Sequence, residues 1–180
     1  NNACLAAIQI HDNITKCSEI TSSGMSIRIG IDMGENNIGI FGNKIRSTFS
    51  VYGKNITTAN KLEQINNLYQ TSILTTDRVT QHLNENILYR FVDEVFIEYK
   101  LKIFEILSKT SYQAQIKDTE DFKMNFTKAY AFYKKGEWEK ALKSFNKLQK
   151  KHPHDNLTLV FIKRIKENNP PKDWDGVWRT

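Results

Sequence analysis

Residues 27–64 read IRIGIDMGENNIGIFGNKIRSTFSVYGKNITTANKLEQ, and the fold is decided in this stretch. Ile27, Ile29 and Ile31 alternate with Arg28, Gly30 and Asp32, the period of a strand with one buried face. Ile38 with Ile40, and Phe49 with Val51, repeat that alternation on either side of a turn-rich centre. Ile56, Ala59, Leu62, Ile65 and Leu68 then shift to spacings of three and four, which predicts a helix. A set of strands feeding a helix makes this a mixed α/β segment.

Working outward, residues 3–17 suit a helix with Leu5 and Ile8 on one face. On the other side a short strand is expected at 72–75, then a small helix at 76–83. Leu88–Ile97 and Leu101–Ile106 follow as a hairpin. Beyond residue 119 the pattern is helical throughout. Gly136 separates an aromatic helix (Phe122, Phe126, Tyr130, Tyr133) from one carrying Trp138, Ala141, Phe145 and Leu148. Pro153 ends the second, and a third runs over about 156–166. Gly136, Trp138, Ala141, Phe145 and Pro153 fit one tetratricopeptide-like unit, which cannot bury its own apolar face and must dock on something. The expected division is a first domain over 1–108, a polar connector over 109–119 and a helical tail over 120–180.

The whole chain has 180 residues, 39% of them hydrophobic and 26% charged, which is enough for one core and excludes a disordered polymer. No apolar run approaches the roughly 18 residues of a membrane span, so no membrane contact is expected from this segment. Two cysteines are too few for a disulfide framework, and a reduced, cytoplasmic setting is expected. The chain begins Asn1-Asn2-Ala3 without an initiator methionine, so it reads as part of a longer polypeptide, with any membrane anchor upstream. Charge is uneven: residues 1–119 hold 12 basic and 12 acidic side chains, and residues 120–180 hold 14 and 8. The tail lysines are interleaved with Glu137 and Glu139 at helical spacing, a solvated face rather than a nucleic-acid surface. His152-Pro153-His154-Asp155 is expected to be a solvated loop, not a metal site.

The stretch 27–64 resembles the class III adenylate and guanylate cyclases. Gly30, Ile31, Gly34, Glu35, Gly39, Gly42, Arg46, Phe49, Val51, Gly53, Ala59, Leu62 and Glu63 fall in the family's register. The helix at 3–10, the strand at 102–106 and the ending Asn169-Pro-Pro-Lys-Asp-Trp-Asp-Gly-Val-Trp178 are similar to flanking parts of bacterial cyclases. The resemblance implies an α/β (α+β) fold: the C-terminal portion of a ferredoxin-like cyclase sandwich, truncated at its N-terminus, followed by the helical tail. It implies conversion of ATP to cyclic AMP and pyrophosphate with Mg²⁺ or Mn²⁺, the metals held by two aspartates that precede the helix at 3–17. No residue of this chain replaces them, Asp32 included.

The family also carries an asparagine and, four residues later, an arginine on one helix face; here those positions are Thr57 and Lys61. Thr57 lacks the amide and Lys61 lacks the planar fork that stabilises charge developing on phosphate. Arg46 matches the arginine that contacts nucleotide phosphates, and Ser50 the base-selecting position, where serine favours ATP over GTP. Lys100 stands near a triphosphate-binding lysine, in a loop about three residues shorter than the family's and lacking its glycine. The resemblance further implies a homodimer, or a heterodimer with another cyclase domain, sharing a site at the interface. Three functions compete: part of a working cyclase, this chain alone being inactive; a degenerate partner that binds nucleotide or completes a heterodimer; and an interaction module acting through the tail.

Overall fold

The computed structural model describes residues 1–17, 19, 22–107 and 119–179. Helix α1 (Asn2–Lys16) buries Cys4 and Ala7. Strands β1 (Ile29–Ile31), β2 (Asn37–Gly42) and β3 (Ser47–Tyr52) lead into α2 (Lys54–Tyr69). Then come β4 (Ile73–Thr76), a short α3 (Asp77–Thr80), β5 (Leu88–Phe96) and β6 (Lys100–Leu107). The last part holds α4 (Thr119–Lys134), α5 (Trp138–Lys151), α6 (Asn156–Glu167) and β7 (Trp178–Arg179). The first strand is shorter than its alternation predicts, starting at Ile29, and the small helix has four residues rather than eight. Residues 109–118 of the expected connector lie outside the described residues, and Thr119 opens α4.

The main sheet has the order β1-β4-β6-β5-β7, with β1 parallel to β4 and β7 parallel to β5. β6 runs antiparallel to both β4 and β5, while β2 and β3 form a separate two-stranded sheet. β1 lies hard against α2: a Cβ at Gly30 would meet the Ala59 carbonyl oxygen at 2.0 Å, so only glycine fits. Asn66 ties the same two elements together, its side-chain amide donating to the Ile29 carbonyl at 3.0 Å.

Strand periodicity divides the core between two faces. Leu101, Ile103 and Leu107 of β6 join Leu62, Ile65 and Tyr69 of α2, and Phe122, Phe126, Tyr133, Phe145 and Phe161 of the last three helices, in one buried cluster. Ile106 points the other way, into a smaller cluster with Cys4, Ala7, Ile73, Val79 and Ile87. The helices after residue 119 therefore dock on the sheet. Their buried stripe in α5, Trp138, Ala141, Phe145 and Leu148, has the spacing that puts one face of a helix inward. Among the described residues no helix is long and apolar enough to cross a membrane.

Two buried ionic networks fasten the helices to the sheet. Asp93, with no exposed surface, accepts from Tyr130 at 2.8 Å, from Tyr69, and from Arg164 Nη1 at 2.7 Å. The Arg164 guanidinium also lies 4.2 Å from the centre of the Trp178 ring. Burial and Asp93 push the Tyr69 and Tyr130 hydroxyls well above their ordinary range, so both stay protonated as donors. Second, Arg90 donates to Glu105 at 2.7 Å and to Asp155, which caps α6 by accepting from the Thr158 amide at 2.8 Å. Burial raises the Glu105 carboxyl despite Arg90. The expectation of a solvated loop at 152–155 holds for Pro153 and His154 but not for its ends: His152 is 4% exposed against Phe122, and Asp155 is 2% exposed. The loop is a joint. Besides its local bonds to Thr158, Asp155 is ion-paired by a strand residue 65 positions away in sequence.

Candidate functional site

The β2–β3 hairpin presents two unlike faces. Its register pairs Ile38 with Val51 and Ile40 with Phe49, placing four apolar side chains on one side. All are exposed, with Ile40 at 75%, Phe49 at 68% and Ile38 at 65%. Ile45 at the turn is 96% exposed. The turn itself is tight: Asn43 accepts from the amides of Ile45 (2.9 Å) and Arg46 (3.0 Å). Gly42 has φ +142°, and a Cβ there would meet the Arg46 carbonyl oxygen at 2.2 Å.

The opposite side is polar. Phe41, Gly42, Asn43, Arg46, Thr48, Ser50 and Tyr52 line an open concavity of about 720 Å³. Arg46 and Ser50 are thus brought together, the guanidinium at the hairpin turn and the hydroxyl along β3. The arrangement offers a fixed positive charge and hydroxyl donors to a ligand that carries phosphate and polar ring edges.

Gly53 ends the hairpin and α2 begins at once. Asn55, Thr58, Leu62, Ile65, Asn66 and Tyr69 form its buried face, which leaves Thr57 and Lys61 together on the exposed face, one turn apart. Lys61 borders a shallow depression of about 260 Å³ with Gln64, Ile65, Leu68 and Ile97. Lys100 stands elsewhere, paired with Asp175 at 3.1 Å. Arg179 and then Lys100 hold the Asp175 carboxyl down to about 2, below its usual 3.8. That depressed value means the pairing adds stability above about pH 3.8 and loses it as the pH falls through about 2. An NMR titration of the Asp175 carboxyl is expected to show a midpoint near 2; an ordinary aspartate midpoint would mean that β7 is not held this way.

One cluster escaped the sequence reading. Arg78 pairs with the side chain of Asp32, which also accepts from Thr76 at 2.7 Å. The same guanidinium nitrogen donates to the Tyr99 hydroxyl at 3.1 Å, and that hydroxyl meets Thr58 Oγ1 at 2.8 Å. The group braces the start of α2 against α3 and the β5–β6 turn. Its members come from positions 32, 58, 76, 78 and 99, so no local spacing signals it. Asp32 is also spent on these donors. Among the described residues no group of three or more His, Cys, Asp or Glu could hold a metal ion.

These elements define a mixed α/β domain whose polar positions gather on one hairpin and one exposed helix face. The model of the adenylate and guanylate cyclase catalytic domain matches residues 1–124, and the chain belongs to that family. It is 27% identical over 179 residues to a Dictyostelium discoideum protein named "Adenylate cyclase, terminal-differentiation specific". That alignment covers 93% of this chain, so it extends into the helices beyond residue 124, but the chain spans only 8% of that relative's length. Two solved structures are similar in part. A bacterial light-regulated adenylyl cyclase matches at a TM-score of 0.42 and 14% identity, over 44% of this chain and 23% of that one. The adenylyl cyclase CyaB from P. aeruginosa matches at 0.41 and 19%, over 51% and 49%.

Proposed function

We propose that the chain is the C-terminal part of a class III cyclase domain that converts ATP to cyclic AMP and pyrophosphate in cyclic-nucleotide signalling, and that it is inactive by itself. The observation that carries this is the family match over residues 1–124; Arg46 and Ser50 line the hairpin concavity, and Thr57 and Lys61 lie one turn apart on the exposed face of α2. In this reading Arg46 binds phosphate, Ser50 contacts the base, and Lys61 supplies charge to the reacting phosphate with Thr57 beside it. The 3′-oxygen attacks the α-phosphorus as the bond to the pyrophosphate oxygen breaks, and the hydroxyl proton leaves. The metals that assist the family reaction would be held by aspartates N-terminal to α1. Purified chain given ATP or GTP with Mn²⁺ is expected to make no cyclic nucleotide above a protein-free blank. Clear turnover would contradict the proposal.

The degenerate-partner reading rests on Thr57 and Lys61, where the family's amide and guanidinium are replaced. In that reading a second cyclase domain supplies the missing pair across a dimer interface. Ile38, Ile40, Phe49 and Val51 support such a dimer, because a contiguous exposed apolar face on a two-stranded arm favours association. Light scattering at tens of micromolar (about the range of weak dimers) is expected to show dimers or larger species. Ile40→Lys with Phe49→Lys should return the chain to monomer. A wild-type monomer would contradict association through this face. The helical tail, tetratricopeptide-like in its Gly136, Trp138, Ala141, Phe145 and Pro153 pattern, is proposed as a brace for the sheet.

A further inference from the structure

Between the end of α2, the outer side of α6 and β7 lies a cavity of about 490 Å³, which shares Leu68 with the Lys61 depression and no residue with the hairpin concavity. Leu68, Leu159, Val160 and Trp178 make its apolar wall, and Leu68 and Leu159 remain 43% and 44% exposed. Its polar end is unusual. Arg164 lines the cavity yet is only 5% exposed, and its two guanidinium nitrogens are used unequally. Nη1 serves Asp93 and, at 3.3 Å, the Tyr133 hydroxyl. Nη2 is buried and has no hydrogen-bond partner among the described residues. A buried donor left unmatched is costly, and buried polar groups in folded proteins are nearly always satisfied. Lys163 adds a second cation to the lining and Glu167 a carboxylate, the two 3.9 Å apart.

We infer that this cavity is a small-molecule site for a planar, largely apolar compound carrying a carboxylate or similar anionic oxygen. The oxygen accepts from Arg164 Nη2 and faces Lys163, while the ring lies along Leu68, Leu159 and Trp178. An anionic acceptor suits the site because hydrogen bonds between charged partners are about twice as strong as neutral ones. Access to Nη2 runs past Trp178, which stacks on the guanidinium and belongs to a strand of two residues paired on one side only, to Val95 and Phe96. Such a strand can yield without disturbing the core. Nothing in this inference depends on the cyclase reading.

The test is NMR titration of the ¹⁵N-labelled 180-residue chain with 2-naphthoate, and with the uncharged 2-naphthamide as control. Naphthoate is expected to shift the amides of Leu68, Leu159 and Lys163 and to bind about tenfold more tightly than the amide, the factor that about 1.4 kcal/mol represents. Because Arg164 is structural, the variants are placed on the rim. Lys163→Gln should weaken naphthoate binding about threefold, the scale of one exposed charge, and Leu159→Glu should abolish it. Both are exposed positions, and unchanged spectra elsewhere would show that the fold is kept. Equal affinity for acid and amide, no shift at these amides up to about 10 mM (weaker than any specific site), or indifference to both variants would each overturn the inference. An ordered water as the only group on Nη2 in a crystal soaked with naphthoate would do so too.

Discussion

Asp93→Ala is expected to lower the unfolding free energy of the chain by about 3–5 kcal/mol, the usual cost of stripping one partner from a buried pair. Asp93 takes three side-chain donors from three elements: Tyr69 of α2, Tyr130 of α4 and Arg164 of α6. Its removal leaves the Arg164 charge buried and two hydroxyls unmatched. Burial works against that charge, and the Asp93 carboxylate stabilises it. Against a typical total of about 5–15 kcal/mol, the loss is a large share. Arg164→Met should cost less, because Asp93 keeps its two tyrosines, and the double variant should lose less than the sum of the singles. Urea unfolding of the three variants checks this; a loss for Asp93→Ala within about 1 kcal/mol, ordinary for a surface change, would mean the helices are not clamped at this point.

Catalytic activity should move by a larger factor at the exposed face of α2. Thr57→Asn with Lys61→Arg returns an amide and a planar guanidinium to two positions one turn apart. Neither side chain is buried, so the double change should leave stability within about 0.5 kcal/mol. In the polypeptide that carries these residues together with the family's two aspartates, it should raise turnover by about 10²-fold or more, the scale of one recovered transition-state donor. A partner domain that already carries asparagine and arginine should activate the wild type on mixing by a similar factor.

Local chemistry explains why most elements were legible in the sequence. The alternation of Ile29 and Ile31, the three-and-four spacing of α2, and the stripe Trp138, Ala141, Phe145 and Leu148 are periodic signals, each matched by an element. Gly30 and Gly42 stand where a side chain would collide with backbone, and such positions carry a family's register. Arg46 and Ser50 were singled out by that register, and the hairpin brings both to one concavity. What could not be read depends on long-range pairing. β7 is two residues long and exists only because Val95 and Phe96 offer an edge. Asp155 and His152 read as loop residues until Arg90 and Phe122 enclose them. Arg78, Tyr99 and Arg164 have no signal within ten residues of their own positions, because each acts on a carboxylate or hydroxyl supplied by another element.

The proposed degeneracy is that Thr57 and Lys61 on α2 stand where the cyclase family carries asparagine and arginine. Its most direct test is cyclic AMP formation at saturating ATP and Mn²⁺ by the polypeptide that carries these 180 residues and both family aspartates. Wild type and Thr57→Asn/Lys61→Arg would be measured side by side. The predicted result is a weak wild type and a double variant faster by about 10²-fold. A wild type that already turns over as fast as the double variant would contradict the claim, since Thr57 and Lys61 would then suffice.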